Sequence, residues 1–346
     1  MFLTKIIPDY LPITNCILIV FSIIFFIFIG ELFCRYFLGL GTPPLLISHP
    51  RIEYIYKPNQ DLYRFGNHFS TNQYGMRSEP FTNKKNSNEL RIMVFGDSVV
   101  NGSSLIDQSE LATTILKNKF TKMIDRNVVV GNISAGSWGP GNWLAYAQEY
   151  GFFDADIIIL IVSSHDYIDN PTFEPLNKNT HPTEKPILAL IEYIERYVPR
   201  YFSQKFGKAS LTNTTDQFLT LETSQFILKE AEKGLNDLRA FLKLAKDHSK
   251  TVMVFQHYEK KEIKTGHILP GNKLIKEVCN QLQIIPISLE PYFSRSIEEG
   301  VNPYIDNIHP NSSGQRLIAE AILAKINLKD DILLDHSIKK PLDEVF

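Results

Sequence analysis

A serine follows the first predicted strand of the chain at a position suited to nucleophilic chemistry. Ser98 comes directly after the apolar run at 91–95 and the pair Gly96 and Asp97. Gly96 permits a tight turn, and open α/β sheets bind their ligands at the carboxyl ends of parallel strands. A Gly-Asp-Ser triplet alone is weak evidence, because such triplets also occur in ordinary turns. Ser98 is therefore a candidate nucleophile that needs a base from elsewhere in the chain.

A base and a carboxylate to orient it occur near the other end of the chain. Asp306 and His309 lie on one short predicted loop before the last helical pattern. At this spacing the carboxylate can accept the Nδ1 proton and leave Nε2 free to take a proton from a serine hydroxyl. An isolated pair of this kind more often marks a helix entry, with Asn311 or Ser312 as the N-cap. The two motifs at opposite ends of one α/β pattern favour a triad with Ser98.

The elements that must position these residues alternate between strands and helices. Strands buried on both faces are predicted by short apolar runs rich in β-branched residues, at 91–95, 127–130, 156–162 and 251–255. Helical patterns follow near 109–123, 142–150, 224–247 and 271–282, with a last one after Ser313. This alternation predicts an α/β fold, a three-layer α/β/α sandwich with a central parallel sheet.

Composition divides the chain into four predicted parts. These are an N-terminal anchor at 1–40, an extended lead-in and linker at 41–90, the α/β domain at 91–326 and a C-terminal tail at 327–346. The domain carries an insertion at about 169–221, with its own predicted helix at 186–198 that should end at Pro199. A basic and aromatic cluster follows this helix. Ordinary helix packing is one interpretation of the cluster, and a membrane-surface or substrate-covering role is the other.

The anchor is predicted from a long apolar segment. Residues 10–30 contain no charged side chain, and this length matches the ~20 residues that a helix needs to cross hydrocarbon. A buried core helix and a signal-peptide core are the alternatives, but a signal core is usually shorter and ends at a small-residue cleavage site, which does not follow Gly30. Lys5 and Arg35 nearly balance under the positive-inside rule. We predict a single-pass membrane protein with its N-terminus inside and its main domain extracytoplasmic.

Composition and charge exclude several classes of protein. The formal net charge is -2, so the chain has no broad basic face for nucleic acid. With 44% hydrophobic and 21% charged residues, disorder is excluded as the main state. Cys16 and Cys34 lie in or beside the apolar segment, and Cys279 is the third cysteine. The sequence therefore contains neither a disulfide framework nor a CxxC metal pair.

The chain resembles the SGNH, or GDSL-type, hydrolases. The resemblance is carried by four blocks in the family's order, at 96–102, 134–139, 163–166 and 306–309. It covers about residues 70–326, because the segment at 71–77 also resembles one that is common before the first strand of membrane-anchored members. The resemblance implies a flavodoxin-like SGNH fold. It also implies that Ser98 is the nucleophile and that Asp306 and His309 complete the triad.

The family holds the oxyanion with three donors. By resemblance these are the amides of Ser98 and Gly139 and a side chain from the third block. Gly136 competes with Gly139, which keeps the better spacing to the preceding strand. In the third block His165 stands where the family has an asparagine. We predict that a neutral His165 tautomer presents an N–H to the cleft, and the alternative is a structural or substrate-contact role with low activity.

Other polar residues near these blocks are candidates for binding. Asp97, Asp166 and His257 are predicted to bind substrate, His257 because it follows a strand that ends at the same sheet edge. A surface histidine with satisfied hydrogen bonds is the alternative for His257. A metal centre of Asp97, Asp166, His165 and His309 is conceivable, yet no spacing such as HxxxH or HExxH supports it. We predict neither a metal nor a cofactor.

Together these features predict a membrane-anchored serine esterase that works through an acyl-enzyme. From the resemblance and the anchor, its expected substrate is an O-acetyl or other short acyl ester on a carbohydrate or cell-surface glycan. One alternative is an O-acyltransferase that uses the same triad with a sugar hydroxyl in place of water. Another is a non-catalytic glycan-binding or assembly protein, against which the complete set of three triad residues argues. The predicted partners are the acylated substrate and the membrane, without nucleic acid.

Overall fold

The structure is a computed structural model that describes residues 11–206 and 221–326, with side chains described at 14–202 and 227–326. The strands are β1 (Leu46–His49), β2 (Glu53–Tyr56), β3 (Asp61–Arg64), β4 (Asn67–Ser70), β5 (Glu89–Gly96), β6 (Asn127–Ser134), β7 (Ile157–Val162), β8 (Thr251–Gln256) and β9 (Ile287–Ser288). The α-helices are α1 (Leu11–Leu32), α2 (Ser98–Asn101), α3 (Ala112–Met123), α4 (Pro140–Tyr150), α5 (Ala189–Glu192), α6 (Val198–Phe206), α7 (Leu221–His248), α8 (Lys260–Thr265), α9 (Pro270–Gln281), α10 (Glu290–Glu298) and α11 (Ser312–Lys325).

A five-stranded parallel sheet organises the larger part of the chain. Its strand order is β6-β5-β7-β8-β9. The direction of strand addition reverses between β5 and β7, since β6 lies on one side of β5 and all later strands lie on the other. Such a switch point opens a crevice at the carboxyl ends of the two strands. The segments after β5 and β7 therefore meet where a ligand can bind.

Helices cover both faces of the sheet. On β5, Met93 and Phe95 pack in a core with α4, α7 and α9, whereas Ile92 and Val94 pack in a second core with α3, α10 and α11. Alternate side chains of one strand thus enter opposite cores, as the period of a strand requires. The three-layer α/β/α sandwich and the predicted parallel sheet are confirmed. Apolar runs without polar alternation gave the correct strands because both faces are buried.

The lead-in before the sheet is folded rather than extended. β1 pairs with β2 and β3 with β4 as antiparallel hairpins. Ile52, Phe69 and Met76 are almost fully buried in the same core as Phe95 of the sheet. Short strands broken by turn and aromatic residues carry too little periodicity to be recognised individually, so the expectation of an extended segment missed the two hairpins.

Two compact units divide the chain. The N-terminal unit comprises Met1–Pro43 and Glu184–Asn213, and the sheet unit comprises Pro44–Thr183 and Thr214–Phe346. Within the N-terminal unit, the segment Thr14–Phe37 has a mean hydropathy of 2.8 and is long enough to cross a membrane. Its most apolar window contains no buried residue. This exposure is inconsistent with the core helix of a soluble domain.

The helix of the insertion does not end at Pro199, so that prediction is wrong. α5, a π-helical turn at Tyr193–Tyr197 and α6 follow one another without a break. The Val198 N–H bonds to the carbonyl of Tyr193, five residues back. Because proline lacks an N–H, a regular helix would lose a bond here. The wider turn directly before Pro199 lets the chain continue in helical geometry.

Candidate active site

Ser98 stands at the carboxyl end of β5 as the first residue of α2. Asp97 is the N-cap of this helix, and its Oδ1 accepts the Val99 N–H at 2.9 Å. Gly96 is required by the close approach of α2, because an added Cβ would lie 2.3 Å from the Val100 side chain. This tight turn leaves Ser98 partly exposed at the switch point of the sheet.

The structure brings the three predicted triad residues together. Ser98 Oγ lies 3.0 Å from His309 Nε2, and His309 Nδ1 lies 2.7 Å from Asp306 Oδ2. Asp306 Oδ1 accepts the backbone N–H groups of Ile308 and His309, each at 2.8 Å. Burial opposes ionisation of Asp306, but these hydrogen bonds together lower its pKa. The distances fit a tautomer in which Nδ1–H donates to Asp306 and Nε2 accepts the Ser98 hydroxyl proton.

His257 supports the loop that carries Asp306 and His309. It is fully buried, and its Nε2 lies 2.8 Å from the carbonyl oxygen of Ile308. Burial is the main cause that lowers the pKa of His257 to about 4, so the ring is neutral and Nε2–H donates to the carbonyl. The prediction that His257 contacts substrate is wrong, because no substrate reaches a fully buried ring. The surface position considered as its alternative is wrong for the same reason.

His165 lies among carboxylates. Its Nε2 is 3.4 Å from Asp97 Oδ2, 3.5 Å from Asp166 Oδ1 and 4.0 Å from Asp169 Oδ2, and its Nδ1 is 3.9 Å from Glu259 Oε1. Burial lowers the pKa of this imidazole, but the hydrogen bond to Asp97 and the charges of Asp166, Asp97 and Asp169 raise it overall to about 10. The surrounding carboxyl groups therefore favour the protonated form of His165.

This preference argues against the neutral tautomer of His165 that the sequence led us to expect. Nε2–H faces Asp97 and Asp166, so it is not presented to the cleft. Asp97 is 1% and Asp166 0% exposed, and the prediction that they bind substrate is therefore wrong. Asp166 Oδ2 instead accepts the Ser163 N–H at 2.6 Å, which fixes the turn after β7. Burial and the charge of Asp97 raise the pKa of Asp166.

Asp97, His165 and Asp166 also lie close enough together to be considered as metal ligands. One ligand atom each from Asp97, His165 and Asp166 can be chosen so that all lie within 4.8 Å of one another. His309, the fourth member of the metal centre considered from the sequence, is instead in contact with Ser98 and Asp306. Pairing of the His165 ring with the carboxyl groups of Asp97 and Asp166 accounts for the same short distances. We therefore describe the cluster as an ion-paired support beneath the serine turn.

The backbone amides near Ser98 differ in availability. Among the described residues, neither the Ser98 N–H nor the Gly136 N–H has an acceptor within hydrogen-bond distance. The Gly139 N–H, in contrast, donates to Asn142 Oδ1 at 3.0 Å, in the first turn of α4. An added Cβ at Gly139 would lie 1.9 Å from the Asp169 carbonyl oxygen, which places this residue beneath the loop after β7. The Gly139 amide is thus already bonded, whereas the amide of Gly136, the competing glycine, has no acceptor among the described residues.

Sequence reasoning missed a buried arginine that braces the serine turn. Arg77 is 1% exposed, and its Nη1 donates to the carbonyl oxygens of Asn101 at 2.6 Å and Ser103 at 2.5 Å. Its Nη2 donates to the Ile106 carbonyl at 2.5 Å. In the sequence, the segment at 71–77 stands out only through its resemblance to membrane-anchored SGNH members. An arginine at its end was the available signal, since a buried guanidinium is well suited to gather several carbonyl groups.

Two carboxylates of the His165 cluster were also missed. Asp169 follows His165 by one helical turn, so its position gave a local signal. Glu259 lies in the segment after β8, and nothing in the local sequence indicates its position near His165. Only the sheet order brings this segment beside the one after β7.

No family model matches the chain, and no curated protein sequence does. Among solved structures, a member of the lipolytic protein G-D-S-L family from Veillonella parvula is 14% identical, with 68% of this chain and 98% of that chain covered and a TM-score of 0.39. A catalytic mutant of an acetylxylan esterase from Geobacillus stearothermophilus is 10% identical, with 70% and 95% covered and a TM-score of 0.40. A two-domain esterase active on acetylated mannans is 11% identical, with 68% and 48% covered and a TM-score of 0.41. The fold itself follows from the sheet order and layers of this chain.

Proposed function

We propose that this chain is a serine ester hydrolase with Ser98 as its nucleophile. The observation that carries the proposal is the continuous contact from Ser98 Oγ to His309 Nε2 at 3.0 Å and from His309 Nδ1 to Asp306 Oδ2 at 2.7 Å. A hydroxyl, an imidazole and a carboxylate in this order activate a weak nucleophile. Their place at the switch point of a parallel sheet is where such folds bind ligands.

In the proposed reaction, Ser98 Oγ attacks the ester carbonyl carbon while His309 Nε2 takes the hydroxyl proton. Asp306 holds the ring and stabilises the resulting imidazolium. The tetrahedral intermediate collapses, the bond to the alcohol breaks, and His309 gives its proton to the leaving oxygen. Water then attacks the acyl-enzyme with His309 again as base, which releases the carboxylic acid and restores Ser98.

The oxyanion in this reaction is assigned to backbone donors. The Ser98 and Gly136 amides are proposed for it because both lack an acceptor among the described residues. His165 has a different proposed task. Asp97 Oδ2 lies 3.5 Å from Ser98 Oγ, and a negative cluster so close would oppose a developing oxyanion. The positive charge of His165 compensates that cluster.

The proposed substrate is a short acyl ester, such as O-acetyl, on a carbohydrate or cell-surface glycan. The site lies open at the surface, with 38% of the His309 and 54% of the Asp306 side chain exposed. An open site suits an ester carried on a bulky hydrophilic polymer better than a long acyl chain, which needs an enclosed apolar pocket. The substrate class thus rests on the exposure of the triad together with the anchor.

The anchor is proposed to be a retained membrane span with the sheet unit on the extracytoplasmic side. Cys34 and Leu40, beyond the end of α1, are buried against Ala189 of the insertion helix. Glu31, near the end of α1, accepts the backbone N–H of Leu190 at 3.0 Å. Removal of α1 as a signal peptide would remove Glu31 and its bond to Leu190, which supports retention of the segment.

The test is hydrolysis of p-nitrophenyl acetate by the full-length protein in detergent. Ser98→Ala should lower kcat/KM by at least ~10³-fold. Ser104→Ala is the matched control, because this serine is nearby and partly buried yet lies outside the triad, and it should retain activity. Turnover by the Ser98→Ala protein close to that of wild type would refute the serine mechanism. A parallel reaction with an added sugar acceptor distinguishes release to water from acyl transfer, because only transfer yields an acylated sugar.

A further inference from the structure

The helix of the insertion is attached to the end of α1. The Leu190 N–H donates to Glu31 at 3.0 Å, and the Gly41 N–H donates to Glu192 Oε2 at 2.7 Å. An added Cβ at Gly30 would lie only 3.4 Å from the Leu190 side chain, so the two segments approach closely. The first turn of the insertion helix therefore lies at the level of Gly30 and Glu31.

This level is where a spanning α1 would leave the hydrocarbon. The segment Thr14–Phe37 is somewhat longer than the ~20 residues that cross an average bilayer. Phe33, Tyr36 and Phe37 are 50%, 76% and 81% exposed at its end. Exposed aromatic side chains at one end of an apolar helix are typical of the boundary between lipid and water. Arg35 bonds to Glu31 at the same level, which neutralises both charges there.

Beyond its attached first turn, the insertion helix exposes large apolar side chains. Ile187 just before it is 88% exposed, and Ile194, Tyr201 and Phe202 along it are 54%, 58% and 54% exposed. Several large exposed apolar side chains on one element indicate a site that contacts a membrane or another protein. Ile187, Ile194 and Tyr201 are each seven residues apart, the interval of two helical turns.

The charges of this helix favour an apolar contact over an electrostatic one. Arg196 bonds to Glu192 at 2.8 Å, so this cation is already balanced. The arginine at position 200 lies over the ring of Tyr197, with 5.8 Å between the guanidinium carbon and the ring centroid. Among the described side chains of this helix, both arginines thus have partners, and a neutral lipid surface suffices without anionic lipid.

We infer that the helix formed by α5, the π-helical turn and α6 lies in the interface of the bilayer as a second lipid contact beside α1. The inference rests on the proposed retention of α1 as a membrane span. Glu31 and Gly30 set the depth of the helix start, and the exposed apolar side chains enter the boundary between headgroups and acyl chains. The insertion thereby becomes part of the membrane attachment.

Tryptophan quenching by brominated lipid tests this placement in the full-length protein. The two native tryptophans, Trp138 and Trp143, are 2% and 0% exposed and give the wild-type baseline. Ile194→Trp reports on the insertion helix, and Phe25→Trp reports on the middle of α1. Each protein is reconstituted into phosphatidylcholine vesicles with bromine either near the headgroup end or near the methyl end of the acyl chains.

The inference expects Ile194→Trp to be quenched several-fold more than wild type, and more strongly by the shallow bromine than by the deep one. Phe25→Trp should show the opposite depth preference. Ile194→Trp fluorescence that responds no more than wild type, while Phe25→Trp is quenched, would overturn the interfacial helix and leave the anchor intact. Stronger quenching of Ile194→Trp by deep bromine would also overturn it. Absence of quenching in Phe25→Trp would instead contradict the membrane span, and the inference would fail with it.

Discussion

Replacement of His165 by asparagine separates charge from hydrogen bonding, because asparagine keeps an N–H donor but carries no positive charge. Burial lowers the pKa of His165, but Asp97, Asp166 and Asp169 raise it overall to about 10. The rise from 6.5 corresponds to roughly 5 kcal/mol, at ~1.4 kcal/mol for each tenfold change in proton affinity. The His165 side chain is 27% exposed, and solvent therefore screens part of this electrostatic stabilisation. We expect His165→Asn to lower the free energy of unfolding by about 3 kcal/mol at pH 7.

The pH dependence of this loss follows from the direction of the pKa shift. Because the folded-state pKa of His165 lies above the unfolded value of 6.5, the stabilisation is fully present below that pH and is lost as pH rises through about 10. Burial is the largest cause that raises the pKa of Asp169, to about 6, so the cluster loses negative charge below that pH. The difference between wild type and His165→Asn should therefore be largest at about pH 6 to 7 and close to zero above about pH 10.

Urea unfolding at pH 7 and pH 10.5, followed by tryptophan fluorescence, measures this difference. Trp138 and Trp143 both lie in the core of the sheet unit and report on its unfolding. His68→Asn is the matched control, since His68 contacts Asp61 at 2.7 Å but Asp61 is 78% exposed. An exposed pair of this kind contributes at most ~1 kcal/mol. An equal loss at both pH values for His165→Asn, or a loss no larger than that of His68→Asn at pH 7, would refute the assigned charge.

Three further changes test the site and its supports. Asp306→Asn should lower kcat for p-nitrophenyl acetate by ~10³- to 10⁴-fold with unfolding unchanged, because the ring loses its orienting carboxylate; near-wild-type kcat would contradict the triad. Arg77→Met should cost about 3 kcal/mol in urea unfolding, because it leaves several buried carbonyl groups without their donor; a loss below 1 kcal/mol would mean that water replaces the guanidinium. Gly271→Ala should lower both stability and activity, because the new Cβ would lie 1.7 Å from the Ser164 carbonyl oxygen; an unchanged urea midpoint would show that α9 moves aside freely. In wild type, nitrogen-detected NMR should show His165 protonated on both ring nitrogens at pH 8, and a neutral ring would contradict the ion-paired cluster.

Four of the five strands of the sheet and the residues proposed for the triad could be predicted from the sequence, because their signals are local. The two-residue strand β9 was not predicted. Runs of β-branched residues mark strands buried on both faces without reference to any partner. The spacing of Asp306 and His309 places a carboxylate within reach of Nδ1 inside one loop, and the contact is present at 2.7 Å. The apolar segment before Glu31 is likewise recognised as a candidate membrane-spanning helix from its composition and length alone.

The tertiary structure alone decided what surrounds these residues. His165 favours its protonated form because segments after two different strands bring Asp97 and Asp166 to one ring, and no local pattern encodes that convergence. The Gly139 amide is occupied because α4 begins there and the side chain of Asn142 bonds back to it. The insertion helix continues past Pro199 because of a π-helical turn, which no pattern in the sequence predicts. Each of these features depends on groups that are distant in the chain or on a local change of backbone geometry. Only the packed fold therefore determines them.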